Sequence, residues 1–204
     1  MARSPSHSPK HPGRRARRPA TPLDAPRLEE LALTYVARFA TSAGRLAAYC
    51  RRKLRERGHC GQAEGAPPPD VAALVARFVA RGFVDDAGFA RAKSDGLLRR
   101  GYGARRVGEA LRADGIAEPL RAELAPGEAA RREAATAYAR RRRLGPFARE
   151  PHGLTDRALH QKQLAALLRA GHDSEHARHV LAAAAPGELD EWIGEAREEE
   201  DRDR

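Results

Sequence analysis

Hydrophobic residues recur at intervals of three and four along the chain from Asp24 onward, with polar residues between them. The first of these apolar stripes consists of Leu28, Leu31, Ala32, Tyr35, Val36 and Phe39. This period matches the 3.6 residues per turn of an α-helix, so each segment can bury one face. No stretch alternates apolar and polar residues for long enough to indicate a β-strand. The pattern predicts an all-α fold.

Residues that favour helix ends separate the apolar stripes. The predicted N-caps are Thr41 or Ser42, Asp70, and Asp85 or Asp86, whose side-chain oxygens can accept a hydrogen bond from a free helical amide. Glycines follow several stripes, because helices commonly end on a residue in the left-handed conformation that glycine adopts most easily. The sequence therefore predicts short helices joined by tight corners.

Three of the predicted helices end on glycines at equivalent positions. Gly58, Gly115 and Gly171 each follow a leucine by four residues, and they are separated by 57 and 56 residues. A unit of three short helices buries little by itself, so neighbouring units have to stack. The sequence therefore predicts three tandem three-helix repeats. These repeats cover residues 24–83, 84–126 and 127–185.

The two ends of the chain carry opposite charges. Residues 1–23 carry a charge of +6 without any acid, and residues 186–204 carry −6. Five prolines and a lack of apolar residues predict that residues 1–23 are a disordered basic tail. A mitochondrial presequence is the alternative for such a segment, but the prolines would break the amphipathic helix that it needs. Residues 186–204 are predicted to be an acidic C-terminal tail.

The region between the two tails carries a charge of +10, equal to the net charge of the whole chain. A basic surface is what a polyanionic partner requires, although an arginine-rich composition in a GC-rich genome would give the same charge. Only Cys50 and Cys60 are present, too few for a disulfide framework or a cysteine-rich zinc site. Apolar runs are too short for a secretory signal or a membrane span, so a cytoplasmic protein is expected.

Glycines and arginines are concentrated in residues 96–111, GLLRRGYGARRVGEAL. Two of the glycines have the spacing that opens a phosphate-binding P-loop, but Tyr102 and Gly103 stand where Lys and Ser or Thr are needed. The dinucleotide motif G-x-G-x-x-G is not completed either, because its last position is Arg106. The stretch instead predicts a corner at which Gly101 ends one helix, Tyr102 packs, and Gly103 starts the next helix.

Histidines are the other candidates for chemistry. His172, His176 and His179 have the spacing of one helical face, which is how some helices chelate a metal. The surrounding HDSEH is not the HExxH motif, so surface histidines on a capped helix are predicted instead of a metal site. No Ser-His-Asp, Cys-His or carboxylate pair is placed for catalysis, so neither catalytic residues nor a cofactor is predicted.

Arginine clusters recur near the predicted helix ends. Such clusters are usually solvated faces, but their recurrence predicts an extended basic surface that binds DNA, an acidic protein, or both. A further run of arginines covers residues 140–143. The candidate partner-facing residues are Arg51, Arg52, Arg99, Arg100, Arg105 and Arg106.

The segment of residues 83–116 closely resembles the central repeat of the RecX family, the bacterial regulators of the RecA recombinase. Residues 28–58 are similar to the first repeat of that family, in an α-proteobacterial style. The resemblance extends to about residue 181, and the third repeat departs from the family pattern around residues 165–172. The positions that carry the central motif include Gly82, Phe83, Asp85, Asp86, Phe89, Ala90, Gly101, Tyr102, Gly103, Arg106, Val107, Leu111, Gly115 and Ile116.

The resemblance implies three tandem three-helix repeats in an elongated, curved array. It also implies a monomer that binds the RecA–single-stranded DNA filament and mainly inhibits its ATPase, strand-exchange and coprotease activities. Binding to single-stranded DNA alone is expected to be weak and unselective. A RecA-independent DNA-binding protein of the helix-turn-helix type is the alternative, because the units have three helices with arginines near helix starts. An α-solenoid scaffold without any nucleic-acid dependence is a third hypothesis.

Overall fold

The computed structural model describes residues 21–148 and 157–203, so most of the predicted basic tail lies outside the described residues. The fold is all-α, as predicted, and the described residues contain no β-strand. A single 3₁₀ turn, Gly145–Phe147, follows the seventh helix. The helices are α1 Ala25–Arg38, α2 Ala43–Arg57, α3 Val71–Ala80, α4 Asp86–Arg99, α5 Ala104–Ala113, α6 Glu118–Glu123, α7 Glu128–Arg142, α8 Arg157–Arg169, α9 Ser174–Ala182 and α10 Pro186–Arg202.

Side-chain caps fix where several helices begin. Of the alternatives in the sequence, Ser42 caps α2 by accepting a hydrogen bond from an amide in its first turn, and Asp85 caps α4 in the same way. Asp70 accepts from two amides of α3, at 2.9 and 3.0 Å. Each cap satisfies amides that have no partner inside the helix, which stabilises the helix by about 1 kcal/mol.

The helices form consecutive units with separate hydrophobic cores. Helices α1–α3 enclose the largest core, in which Phe78, Leu28 and Leu46 are almost fully buried. Helices α4–α6 enclose a smaller core around Val107 and Leu111. Helices α7–α10 form the third unit, with buried residues on all four helices. None of the described helices combines the length and the apolar character that a bilayer span requires. The elongated, curved shape stays a prediction.

The first unit begins before Asp24, the residue at which its helical pattern starts. Leu23 is fully buried, its amide donates to the carbonyl oxygen of Gly58, and its own carbonyl oxygen accepts from Cys60. Residue 23 therefore belongs to the first core and not to the tail. Burial in the same core raises the pKa of the Cys50 thiol to about 11. A thiol with this pKa stays protonated and unreactive at neutral pH.

Residues 186–204 were assigned to an acidic tail, and the structure corrects that prediction. Nearly all of the segment forms α10, which packs along α7 in the third unit. The buried residues of α10 are Leu189, Trp192, Ile193 and Ala196, an apolar stripe at helical spacing. A charge count over the whole segment conceals this stripe, because the acids occupy the other faces of the helix.

Polar contacts join α10 to α7 as well. Glu200 accepts a hydrogen bond from the amide of Ala129 at 3.1 Å and so caps the start of α7. Arg197 forms a salt bridge with Glu133. The carboxylate of Glu200 is therefore engaged within the third unit and is less available to an external partner.

Candidate functional site

Neighbouring units meet through the second helix of each unit, which is α2, α5 or α8. The start of one of these helices packs on the end of the next one. At the first junction, α2 begins against the end of α5. The hydroxyl of Ser42 donates to the carbonyl oxygen of Asp114, and the amide of Ala43 donates to Asp86 at 2.7 Å. A Cβ atom on Gly44 would lie 2.7 Å from the Cα of Gly115, so the two backbones touch.

The second junction repeats this arrangement between α5 and α8. The amide of Gly103 donates to the carbonyl oxygen of Ala170 at 2.9 Å, and the amide of Arg105 donates to that of Gly171 at 3.2 Å. A Cβ atom on Gly103 would come closer than 3.0 Å to the backbone of Gly171 and His172. Gly103 thus starts α5 and also lets two units approach each other, which the sequence does not reveal.

The Gly101–Tyr102 corner lies beside the second junction. Gly101 has a φ of +76°, and its amide and that of Tyr102 bond to carbonyl oxygens in the last turn of α4, which closes this helix. A Cβ atom on Gly101 would lie 2.6 Å from the amide nitrogen of Tyr138 on α7. Tyr102 is half-buried and packs against the second core together with Phe89. The corner therefore positions α4, α5 and α7 together.

Two of the three histidines are buried, contrary to the prediction of surface histidines. His172 Nε2 lies 3.0 Å from the carbonyl oxygen of Gly101, and burial lowers the pKa of this histidine. His176 lies between Glu128 and Asp173, with a ring nitrogen 2.8 Å from each carboxylate. Only His179 remains exposed. The histidines pack α9 onto the rest of the molecule, and no metal-binding cluster occurs in the described part of the chain.

We expect the stability of the protein to fall as the pH drops through about 6.5, the ordinary pKa of histidine. The pKa of His172 lies below its ordinary value of 6.5 in the folded state, so the unfolded chain binds the proton more readily and acid favours unfolding. The loss is complete once the pH lies below the pKa of His172 in the folded protein. Urea unfolding at several pH values measures it. His172→Gln, which retains a donor for Gly101, should show a shallower fall, and an equal slope would contradict the assignment.

The predicted arginines occupy two separate surfaces. Arg99 and Arg100 end α4, and Arg105 and Arg106 follow directly in the first turns of α5. Arg51 and Arg52 lie on α2, about 13 Å along this helix from the first junction. The Gly101–Tyr102 corner therefore brings four of the six arginines together, and the other two belong to the first unit.

Several of these arginines have partners within the chain. Arg105 bonds to Glu109 at 2.9 Å and to the carbonyl oxygen of Leu168 at 2.8 Å, so it spans the second junction. Arg106 lies 3.5 Å from Glu109. Arg52 forms an ion pair with Glu56, also at 3.5 Å. These contacts reduce the charge that the arginines present to a partner.

The remaining arginines differ in how free their charges are. Arg100 donates from Nε to the carbonyl oxygen of Gly96 at 2.9 Å. Arg51 and Arg99 are exposed, and neither forms an ion pair with a carboxylate among the described residues. Arg51 and Arg99 are therefore the two predicted residues whose charges are most available.

A basic groove of about 670 Å³ lies between the end of α7 and α8. Its described lining includes four cations and no carboxylate, and the ring of Tyr138 forms part of its wall. The sequence shows the arginine run at the end of α7 but not its proximity to α8, because the lining residues on these two helices are about twenty residues apart in sequence. The four cations are Arg142, Arg143, Lys162 and Arg169.

Comparison with known proteins places the chain in a family. No family model matches it. The regulatory protein RecX of Myxococcus xanthus (strain DK1622) is 33% identical over 158 residues, which cover 76% of this chain and 83% of that protein. The chain belongs to the RecX family. The α2–α5 and α5–α8 junctions described above therefore occur in a member of the RecX family.

Two solved structures show the same fold. The crystal structure of RecX from Lactobacillus salivarius is 14% identical and aligns with a TM-score of 0.60 over 81% of this chain and 96% of that one. A crystal structure of another RecX regulatory protein is 17% identical, with a TM-score of 0.57 over 76% of this chain and 70% of that one. The RecX fold is thus retained at low sequence identity.

Proposed function

We propose that this RecX chain is a non-enzymatic regulator that binds the RecA–single-stranded DNA filament and mainly inhibits its ATPase, strand-exchange and coprotease activities. The observation that carries the proposal is the 33% identity to a RecX regulatory protein over most of both chains. The basic groove and the exposed Arg51 and Arg99 support it, since DNA phosphates and acidic protein surfaces both favour arginine and lysine partners.

The state of three chemically reactive side chains supports a non-enzymatic role. The Cys50 thiol is buried with a raised pKa, and His172 is hydrogen-bonded to a backbone carbonyl. His176 is enclosed by Glu128 and Asp173. In each case the group that would act as nucleophile or base is engaged in packing, and no cofactor is needed for the proposed role.

The geometry favours filament binding over the helix-turn-helix alternative. A recognition helix contacts bases with residues near its N-terminus. In this chain the start of α2 packs on α5, and the start of α5 packs on α8. The backbone at these two helix starts packs against neighbouring units, which disfavours the entry of either start into a DNA groove.

A titration of the DNA-dependent ATPase of RecA tests the proposed function. We expect the ATPase rate and strand exchange to fall as the chain approaches the concentration of filament sites. Binding to single-stranded DNA without RecA should be weak, unselective and strongly salt-dependent, and the chain should be a monomer in the cytoplasm. Unchanged ATPase and strand exchange at these concentrations would refute the proposal. Selective duplex binding without RecA would support the helix-turn-helix alternative.

Charge reversal at both free arginines, Arg51→Glu with Arg99→Glu, should weaken inhibition of the filament about tenfold. Exposed charges of this kind mainly speed association with an oppositely charged surface, so the effect should shrink at high salt. The matched control reverses the exposed Arg27 and Arg178, which changes the net charge equally. Equal inhibition by both double variants would mean that Arg51 and Arg99 are merely solvated. Reversing Arg105 is a poorer test, because it also breaks the second junction.

A further inference from the structure

Three aromatic rings form a ladder across the first unit. Tyr35 of α1 and Tyr49 of α2 are stacked, with ring centroids 4.3 Å apart and planes inclined by 16°. Phe39 continues the row at 5.4 Å from Tyr35, with an inclination of 47°. We call Phe39, Tyr35 and Tyr49 the aromatic ladder. It joins the first two helices and ends on Phe39 at the surface.

Phe39 is the most exposed large hydrophobic residue of the described chain, with 56% of its surface accessible. It caps the C-terminus of α1, and its amide donates to the carbonyl oxygen of Tyr35 at 3.1 Å. The hydrogen bond fixes the backbone of Phe39, and the ring of Tyr35 packs against one side of the Phe39 ring. An exposed aromatic ring that is fixed in this way loses little conformational freedom when a ligand stacks on it.

Cations lie at the other end of the aromatic ladder. The guanidinium of Arg52 is 5.6 Å from the ring centroid of Tyr49, and the ammonium of Lys53 is 5.8 Å from it. Both cations contact the single carboxylate of Glu56, at 3.5 and 2.7 Å. One positive charge of this group therefore remains uncompensated, and two ring–ring contacts and one cation–ring contact separate it from Phe39.

The surroundings of Phe39 do not resemble a hydrophobic protein-binding patch. Leu33 is also exposed, but it lies six residues earlier on α1, about 240° around the helix axis. Val79 and Phe83 are exposed at the end of α3 and in the turn after it, where Phe83 packs edge-on against Phe78 at 5.5 Å. An exposed ring connected through two tyrosines to cations matches the way that single-stranded nucleic acids are bound, with bases on aromatic rings and phosphates on cations.

We infer that the aromatic ladder is a base-stacking platform for single-stranded DNA. A base stacks on the outer face of Phe39, and phosphates farther along the strand approach Arg52 and Lys53 at the other end of the ladder. This inference rests on the proposed function, because it identifies where the DNA strand of the filament is contacted. It adds a residue type, an exposed phenylalanine, that the arginine pattern does not indicate.

The first test measures the affinity of the full chain for a fluorescent oligothymidylate by anisotropy. Phe39→Ala should weaken binding at least about fivefold, the effect of losing one stacked base. Phe83→Ala is the matched control and should bind as the wild type does. An abasic oligomer keeps the phosphates and lacks the bases, so the wild type and Phe39→Ala should bind it equally. Equal affinity of both proteins for oligothymidylate would overturn the inference, as would a loss that is equally large on the abasic oligomer.

A second variant gives a spectroscopic signal that folding defects cannot imitate. Phe39→Trp should retain affinity, and its new fluorescence should be quenched by oligothymidylate but not by the abasic oligomer. Trp192 is buried and supplies a constant background, which the wild-type protein measures. Phe83→Trp is the control and should not be quenched. Absence of quenching at saturating oligothymidylate would overturn the inference.

The two proposals fail in different ways. If Phe39→Ala loses inhibition of RecA but keeps its affinity for oligothymidylate, Phe39 contacts protein and the stacking platform is wrong. If Phe39→Ala retains both activities, the platform is wrong and the regulatory role stands. If the wild type binds oligothymidylate through Phe39 but leaves the RecA ATPase unchanged, the platform stands and the proposed function is wrong.

Discussion

Gly103→Val is expected to lower the free energy of unfolding by more than about 3 kcal/mol. The conformation of Gly103 is ordinary, with a φ of −77°, so the loss does not come from backbone strain. It comes from the second junction, where the new Cβ would come closer than 3.0 Å to the backbone of Gly171 and His172. Backbone atoms cannot move aside as a flexible side chain can, so the units would have to separate.

Gly108→Ala on the same helix provides the matched control. No atom lies within 4 Å of the position that its Cβ would take, and alanine is a better helix former than glycine by up to about 1 kcal/mol. This variant should therefore be as stable as the wild type or more stable. Urea unfolding followed by circular dichroism compares the two. A Gly103→Val protein with wild-type stability would show that the units do not touch at this junction.

The local parts of the fold could be predicted from the sequence. Ser42, Asp70 and Asp85 cap helices because their own side chains reach the amides of the next turn, which requires no distant partner. The all-α class follows from the helical period of the apolar residues in the same way. Contacts between units depend on residues far apart in sequence. The touching of Gly44 and Gly115 is an example, and no local pattern indicates it.

The candidate site shows the same division. The sequence identifies basic residues but not their partners, and the partners decide how much charge remains available. Arg105 bonds to Glu109 and to the end of α8, whereas Arg99 forms no ion pair with a described carboxylate. The basic groove and the aromatic ladder need a tertiary structure, because each combines side chains from two helices.

The burial of the histidines has a similar origin. His172 and His176 carry polar rings, so the sequence predicts exposure. The carbonyl oxygen of Gly101 and the carboxylate of Glu128 provide hydrogen-bond partners that make burial possible. Burial raises the pKa of the Glu128 carboxyl, but hydrogen bonds with Arg132 and His176 together with the neighbouring positive charges lower it by more. His172 is thus buried against the second unit, and His176 is buried between α7 and α9 of the third unit.

Trp192 is the residue on which the attachment of α10 depends most. Its ring is stacked on His179 at 4.1 Å, with the planes inclined by 17°, and the guanidinium of Arg132 lies 4.8 Å from its centroid. Arg132 also donates to the carbonyl oxygen of Trp192 at 2.6 Å. The ring therefore connects α7, α9 and α10, and only 9% of the residue is exposed.

Trp192→Ala should lower the free energy of unfolding by about 3–5 kcal/mol, because it removes a large buried ring and leaves a cavity between three helices. Glu191→Ala is the matched control on an exposed position of α10 and should change stability by less than about 0.5 kcal/mol. Circular dichroism is the appropriate probe, since Trp192 is the single tryptophan of the chain and its loss removes the fluorescence signal. If Trp192→Ala left the free energy of unfolding unchanged, residues 186–204 would be a tail, as the sequence predicts. The expected loss instead makes α10 a structural element of the third unit, whose acidic surface stays fixed beside the basic residues of α7.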